Sequence, residues 1–207
     1  MKYDEYMNAE LIFIYDSHCP WSYAATPLVD AIAKAYPEMK INLWHCGHYQ
    51  GDQTVAQALI GNVEADSNKR FPASYVDPMP FEPDSTMAAN LIAWANNKAS
   101  HQVLELLKLI QKSHFEDALP MSSKDELMDV CQQLKMSPPA KVFKNDAFSK
   151  DAEFIMQDIF DLQEVIGTQS IPALLIAFDD NLVLLNHNHY LKKPSAIVEA
   201  VKLELKA

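Results

Sequence analysis

The chain has 207 residues, of which 49% are hydrophobic and 22% are charged, and its formal net charge is −11. This length is enough for a substantial core in one large domain, or in a domain that carries a sizeable insertion. The acidic excess argues against nucleic acid or an anionic membrane surface as a partner, and no apolar run approaches the roughly 20 residues of a membrane-spanning helix.

The cysteines and the N-terminus both favour a reducing compartment. The three cysteines are widely spaced and odd in number, unlike the paired cysteines of a disulfide-stabilised secreted domain. The first five residues, MKYDE, are mostly polar, and no apolar segment typical of a secretory signal peptide follows them. We therefore expect a cytoplasmic protein.

The first predicted elements are a strand, a turn and a helix. The apolar run Leu11–Tyr15 is typical of a strand, and three polar residues follow it as a turn. A helix is predicted from Cys19 to about Tyr36. Pro20 is favoured at the first helical position, because the amide that proline lacks would be unpaired there. Cys19 is therefore the predicted N-cap residue.

Cys19 is the first candidate for chemistry. At the N-cap its sulfur would lie bare to solvent, and the free amides of Trp21 and Ser22 and the helix dipole would favour the thiolate. Lowering a thiol pKa by two units takes about 2.7 kcal/mol. The dipole supplies roughly 0.3–1 kcal/mol, so direct amide–sulfur bonds must supply the rest. The alternative is a buried cysteine that packs as a small hydrophobe.

The rest of the chain predicts a second strand, a helical block and a return to strands. The alternating segment Lys40–Cys46 predicts a strand that reaches the first by a parallel, right-handed crossover. A proline-broken loop interrupts the helical block and contains Pro72, Pro78, Pro80 and Pro83. The predicted elements are, in order, helices at Asp52–Gly61, Asp84–Asn97, Ser100–His114 and Ser123–Leu134 (with a capping box of Ser123 and Glu126), a short helical piece after Pro138-Pro139, a helix at Phe148–Val165, a hairpin of Ile171–Phe178 and Leu182–Leu185, and a last helix from Pro194 to Leu205.

This order predicts an α/β fold in which helices interrupt one sheet. The sheet domain would comprise residues 1–50 and 166–207, and the inserted helical domain residues 51–165. The segment Asp16–Leu28, which contains Cys19-Pro20-Trp21-Ser22, and the segment Gly167–Leu175, which contains Ile171-Pro172, resemble the DsbA-like branch of the thioredoxin superfamily. They are also similar to cytoplasmic proteins labelled predicted protein-disulfide isomerases, FrnE-like proteins, kappa-class glutathione transferases and hydroxychromene-carboxylate isomerases. The resemblance implies a thioredoxin-like fold with a large all-helical insertion.

The resemblance also implies roles for individual residues. Cys19 would be the attacking thiolate, and Pro172 would follow a cis peptide bond that exposes the backbone of Ile171 as a dock for a peptide or glutathione. An ordinary trans proline at a strand start is the alternative. Pro20 and Trp21 would line the substrate site, although Trp21 could equally pack in the core. His18 would either stabilise the thiolate when protonated or lie solvated in a loop.

Ser22 departs from the redox members of this family, which carry a second cysteine at this position. One cysteine cannot close a disulfide within the motif, so three chemistries remain. Cys19 could act as a monothiol with Ser22 donating a hydrogen bond to the thiolate, and glutathione could resolve the mixed disulfide. It could instead hold glutathione for transfer or isomerisation, which predicts a deep, partly apolar pocket beside the helical block. Cys46 could also resolve it, whereas Cys131 is predicted to be buried.

Several histidines are predicted near the same sheet edge. His45 and His48 follow the second strand, and His187 and His189 follow the last. The two groups would lie about three strand spacings apart, roughly 14 Å, which argues against a shared metal ion.

We therefore predict no metal site and no tightly bound cofactor. The predicted function is a DsbA-like thiol-disulfide oxidoreductase that acts as a monothiol through Cys19. Its partners would be glutathione, or protein and peptide thiols and disulfides. The alternatives are a glutathione-dependent transferase or isomerase and a redox-inactive module that binds peptides.

Overall fold

A four-stranded sheet forms the centre of the computed structural model, which describes residues 9–77, 81–144 and 147–206. The strand order is β2-β1-β3-β4, and the strands are β1 (Glu10–Tyr15), β2 (Lys40–His45), β3 (Ala173–Phe178) and β4 (Asn181–Leu184). β2 is parallel to β1, while β3 is antiparallel to both β1 and β4. The predicted parallel crossover and the predicted hairpin are both confirmed.

One short helix, Ala73–Val76, lies in the segment predicted to be a proline-broken loop, and the other helices follow the predicted order. The helices are α1 (Pro20–Ala35), α2 (Gln57–Asp66), α3 (Ala73–Val76), α4 (Thr86–Lys98), α5 (Val103–Phe115), α6 (Lys124–Gln133), α7 (Lys150–Ile166) and α8 (Ile197–Glu204). The helices α2 to α7 all fall between β2 and β3 along the chain, so the predicted helical insertion is present. Its separation as a domain of its own, residues 51–165, stays a prediction.

Two sequence-based expectations concern residues outside the described ranges. The N-terminal segment on which the absence of a signal peptide was judged lies there, and so do Pro78 and Pro80 of the predicted loop. Among the described residues, none of the helices combines the length and the apolarity of a membrane span.

α2 begins later than the sequence predicts, at Gln57 instead of Asp52. The preceding residues are held by backbone pairing to a distant segment. Gln50 forms an isolated antiparallel bridge with Asp84, and the amide of Gly51 donates to the carbonyl of Pro83 at 2.9 Å. These contacts tie the backbone directly before Asp52 to the segment that precedes α4.

The sheet has a different core on each face, because side chains of β1 alternate between the two faces. Leu11, Phe13 and Tyr15 point into the larger core, which also contains residues of α1 and of the helical insertion. Ile12 and Ile14 point to the other face, where they pack with Ile159 of α7 and with Ala173 and Leu175 of β3. α1 and α7 thus cover opposite faces, and the N-terminus of α1 lies where β1 ends.

Candidate active site

Cys19 occupies the N-cap of α1, as the sequence predicts. Its amide donates to the carbonyl of Asp16 at 3.2 Å, and its carbonyl accepts the amide of Tyr23 at 3.0 Å. These bonds join the turn after β1 directly to the first turn of α1. Pro20 stands at the first helical position, where its missing amide leaves no donor unpaired.

The exposure predicted for Cys19 is wrong. The residue is only 5% exposed, and no hydrogen bond caps the helix through its sulfur. Burial raises the pKa of Cys19, and the amides of Ser22 and Trp21 and the Ser22 hydroxyl oppose this effect without overcoming it. Because a thiolate needs solvation or direct bonds, the thiol is the resting form. The predicted lowering of this pKa is therefore also wrong.

Asp16 is the centre of a buried hydrogen-bond cluster. Its carboxylate accepts the amide of His18 at 2.8 Å, the amides of His48 and Tyr49 at 2.7 and 3.2 Å, and the hydroxyl of Ser85 at 2.7 Å. Burial alone would raise the pKa of Asp16, but the nearby imidazoles of His45 and His18 and the bonds from His18 and Ser85 lower it overall. A fixed negative charge thus lies under the start of α1.

His18 is buried, and neither of its predicted roles fits this position. Its ring lies 2.9 Å from the Ser17 hydroxyl and donates from Nε2 to the carbonyl of Pro120 at 2.9 Å. The His114 ring packs against it, with 4.0 Å between ring centroids. Burial lowers the pKa of His18, so the imidazole is neutral and is not solvated. His18 instead ties the active-site turn to the segment before α6.

His45 is the last residue of β2, and it is buried. Its Nε2 accepts the amide of Ser17 at 3.0 Å, and burial lowers its pKa to about 4. His48 is exposed at the end of this segment. No group of three or more His, Cys, Asp or Glu side chains within residues 9–77, 81–144 and 147–206 is arranged to hold a metal ion.

Ser22 is fully buried one turn after Cys19. Its hydroxyl accepts the amide of Asp16 at 3.3 Å, and its amide and hydroxyl are the groups that most favour the Cys19 thiolate. The carbonyl of Ser22 accepts the Thr26 hydroxyl at 3.0 Å. Ser22 therefore bonds both to the backbone of Asp16 and to the sulfur of Cys19, but it supplies no second thiol.

Of the two other cysteines, Cys131 belongs to the same core as Cys19, and Cys46 packs with the core on the other face of the sheet. All three cysteines are free thiols. Cys46 packs on the α7 face of the sheet, whereas Cys19 belongs to the core on the α1 face. Burial raises the pKa of Cys46, a charge on Cys19 contributes in the same direction, and the two thiols form no disulfide. Cys131 is fully buried in α6, as predicted.

An open groove lies beside the start of α1, and we call it the Trp21 groove. Its volume is about 680 Å³. One part of its lining is Trp21 together with Ile171 and Pro172, and the peptide bond between the latter two is cis. The rest of the lining is formed by Asp66, Ser170, His187, Asn188, His189, Leu191 and Lys192. Cys19 itself is not among the lining residues.

Sequence reasoning missed part of the buried core that contains Cys19. Tyr49 and Tyr75 are buried and belong to that core together with Cys19. Both tyrosines lie in the stretch that separates β2 from β3, far from the motif in sequence. The role of Asp16 had one local signal, because aspartate in a turn commonly accepts the amide two residues later.

No protein-family model matches this chain, and no curated protein matches its sequence. Solved structures do match its fold. The cytosolic disulfide reductase DsbM from Pseudomonas aeruginosa, in a structure with glutathione, aligns with a TM-score of 0.79 at 19% identity, over 96% of this chain and 100% of that chain. The chain has the DsbA-like thioredoxin fold.

Other proteins with this fold differ in their described activities. A periplasmic thioredoxin-like protein from Salmonella enterica serovar Typhimurium aligns with a TM-score of 0.54 at 17% identity, over 96% of this chain and 85% of that chain. A 2-hydroxychromene-2-carboxylate isomerase aligns with a TM-score of 0.55 at 14% identity, over 94% of this chain and 95% of that chain. The DsbA-like fold predicted from the sequence is therefore confirmed, and function must be argued from the site.

Proposed function

We propose that this chain is a thiol-disulfide oxidoreductase that acts through Cys19 as a monothiol, with glutathione as co-substrate. The observation that carries the proposal is the convergence of three features in the DsbA-like fold. A cysteine lies at the start of α1, Ile171 and Pro172 lie directly before β3, and Trp21 of α1 lines one groove together with both of them. The name of the structural neighbour DsbM, a disulfide reductase solved with glutathione, supports the same chemistry.

The reaction has two exchange steps. In the first, the Cys19 thiolate attacks one sulfur of a disulfide R–S–S–R′, so that a mixed disulfide forms and R′–S⁻ leaves. In the second, the thiolate of glutathione attacks the sulfur of R. The bond to Cys19 breaks, a new disulfide forms, and Cys19 leaves as a thiolate. Because Ser22 replaces the internal resolving cysteine, an external thiol must carry out this second step.

Each residue of the site has a role in this scheme. Ser22 would donate its hydroxyl to the Cys19 thiolate, and Pro20 fixes the start of the helix. Ile171 precedes β3, whose pairing with β1 begins at Ala173, so a substrate backbone can bond to Ile171 in the manner of an added strand. His18 would act only by holding the turn, because it is buried and neutral.

The Trp21 groove suits a small peptide thiol. Its volume of about 680 Å³ lies within the range of roughly 300–1,000 Å³ that is usual for small-molecule sites. Asp66 and Lys192 place opposite charges on its lining, and glutathione carries both an ammonium group and carboxylates. These features favour a zwitterionic peptide thiol over an uncharged one.

The burial of Cys19 changes how its reactivity must arise. Because the resting sulfur is buried and protonated, we propose that a substrate bound in the Trp21 groove exposes it. Side-chain rearrangement at the groove surface, for example of Trp21, is the smallest movement that this requires. We also propose a cytoplasmic location, because a monothiol enzyme depends on the reduced glutathione pool of that compartment.

Loss of the sulfur tests the proposal. In a glutathione-linked disulfide reduction assay, Cys19→Ser should lower activity by about 100-fold or more, since no mixed disulfide can form. Cys46→Ser is the matched control and should retain activity, because Cys46 packs on the opposite sheet face. Activity that survives in Cys19→Ser would overturn the assignment.

One observation favours a second candidate, a redox-inactive module that binds peptides. Cys19 is buried with a raised pKa, as expected of a packing residue. This candidate predicts no reductase activity in the wild type and unchanged peptide binding in Cys19→Ser. The same assay, paired with a peptide-binding measurement, separates the two candidates.

A further inference from the structure

A monothiol mechanism needs a way to ionise the external thiol that releases the mixed disulfide. The inference made from this need rests on the function proposed above. An unperturbed thiol is only a few per cent thiolate at neutral pH. Ser22 cannot supply the missing nucleophile. A base beside the mixed disulfide would therefore increase the rate of the release step.

His187 lies on the Trp21 groove next to the cis peptide. It follows β4 in a short 3₁₀ helix, His187–Tyr190, and its side chain lines the groove together with Ile171 and Pro172. The amide of His187 donates to the carbonyl of Leu185 at 2.8 Å, and the amide of Leu185 donates to the carbonyl of Leu174 at 2.8 Å. Leu174 is two residues after Pro172, so backbone bonds fix His187 relative to the cis peptide.

The imidazole of His187 donates a hydrogen bond to the backbone of Leu185, which occupies one ring nitrogen and leaves the other as the acceptor. Leu185 and Leu191 are 5% and 2% exposed, so the segment that carries His187 is anchored on both sides. The other charged or titratable groups that line this groove are Asp66 of α2, His189 and Lys192, and among the described residues none of them forms an ion pair with His187. Burial lowers the pKa of His187, which keeps the ring neutral and able to accept a proton at neutral pH.

We propose that His187 is the base that ionises the external thiol in the release step. The thiol proton passes to the imidazole, and the resulting thiolate attacks the substrate sulfur of the mixed disulfide. In this scheme the substrate sulfur is the one held in the Trp21 groove. The bond between the two sulfurs breaks, the external thiol is oxidised into the new disulfide, and Cys19 is reduced. The departing Cys19 thiolate then recovers a proton from the imidazolium.

The experiment isolates the release step. The protein is first loaded on Cys19 with glutathione disulfide, and the rate at which reduced glutathione removes the adduct is then measured from pH 6 to pH 10. At pH 7, His187→Gln should slow release by about tenfold or more, since general base catalysis is lost. His101→Gln, which changes an exposed histidine that does not line this groove, should release at the wild-type rate.

Two further arms separate a base from a structural role. The defect of His187→Gln should disappear near pH 10, where glutathione ionises without help. It should also disappear in a Ser22→Cys background, where an internal thiol releases the adduct. Equal rates in wild type and His187→Gln at pH 7, or a defect that persists at pH 10, would overturn the inference while leaving the monothiol scheme standing. If no adduct forms on wild-type Cys19, the proposed function itself fails, and this inference fails with it.

Discussion

The Asp16 cluster and the Trp21 groove both lie at the start of α1, and their polar side chains differ in burial. In the cluster, Asp16, His18 and His45 are all buried, and their hydrogen-bond partners belong to the protein itself. On the groove, Asp66 and Lys192 are exposed, and neither forms an ion pair with another described residue.

This difference separates what holds the site together from what can meet a ligand. A buried polar group whose partners are all internal contributes to stability and is costly to remove. An exposed charge without a partner contributes little to stability and remains available to a substrate. Cys19 lies between the two regions, since it is buried like the cluster but precedes Trp21 of the groove by only two residues.

The largest effect that we expect from the comparison is the loss of the Asp16 carboxylate. Asp16→Ala should lower the free energy of unfolding by about 3–5 kcal/mol, because it leaves several buried donors without an acceptor. Asp66→Ala on the groove is the control, and it should change stability by no more than about 0.5 kcal/mol. Urea unfolding at pH 7 measures both. Similar losses of unfolding free energy in the two variants would show that the Asp16 cluster contributes no more to stability than the Trp21 groove does.

The buried histidines of the cluster should make stability fall in acid. The pKa of His45 is about 4 in the folded state, against an ordinary value of 6.5. Between these values the unfolded state binds more protons than the folded state, so stability falls as the pH is lowered through this window. The difference between the two pKa values of His45 corresponds to about 3 kcal/mol of unfolding free energy. Burial also lowers the pKa of His18 and of His114, which acts in the same direction.

Urea unfolding at several pH values between 7 and 4 measures this dependence. His45→Gln should make the pH profile shallower, and His101→Gln, which changes an exposed histidine, should leave it unchanged. Asp16 has a lowered pKa, so its own contribution is present above the unfolded pKa of about 3.9 and is lost only as the pH falls further. A flat profile between pH 7 and pH 4 would mean that these imidazoles are not buried.

The smallest expected effect concerns the resting reactivity of Cys19. Because burial raises its pKa, native Cys19 should be alkylated at pH 7 more slowly than the same cysteine in urea-unfolded protein. Digestion after alkylation gives the rate at this residue alone, and Cys19→Ser, which lacks the thiol, is the blank. Faster alkylation in the native protein would mean that Cys19 is a reactive thiolate and not a buried thiol.

Local sequence signals predicted the elements around the motif. Pro20 after a cysteine marks the start of α1, and the spacing of Ser123 and Glu126 predicts the capping box, in which each side chain bonds to the other residue's amide. Both signals act within one helical turn, so no distant residue can override them easily. The order of the elements then limits the topology, because a long connection between neighbouring strands implies a parallel pair.

Contacts between distant residues account for what the sequence could not predict. The segment before α2 is paired through Gln50 with Asp84, a residue of a different part of the chain. Cys19 is buried in a core that also contains Tyr49 and Tyr75, and neither ring is near the motif in sequence. A cysteine at a helix N-terminus therefore suggests a reactive thiolate only when the residues packed against it are also known.

The central claim is that Cys19 exchanges disulfides as a monothiol, and intact-protein mass spectrometry tests it most directly. After incubation with glutathione disulfide, the wild-type protein should carry one glutathione, mapped to Cys19 by digestion, and reduced glutathione should remove it. Cys19→Ser should carry none. An adduct that maps to Cys46, or no adduct on Cys19 under conditions in which the protein remains folded, would contradict the account.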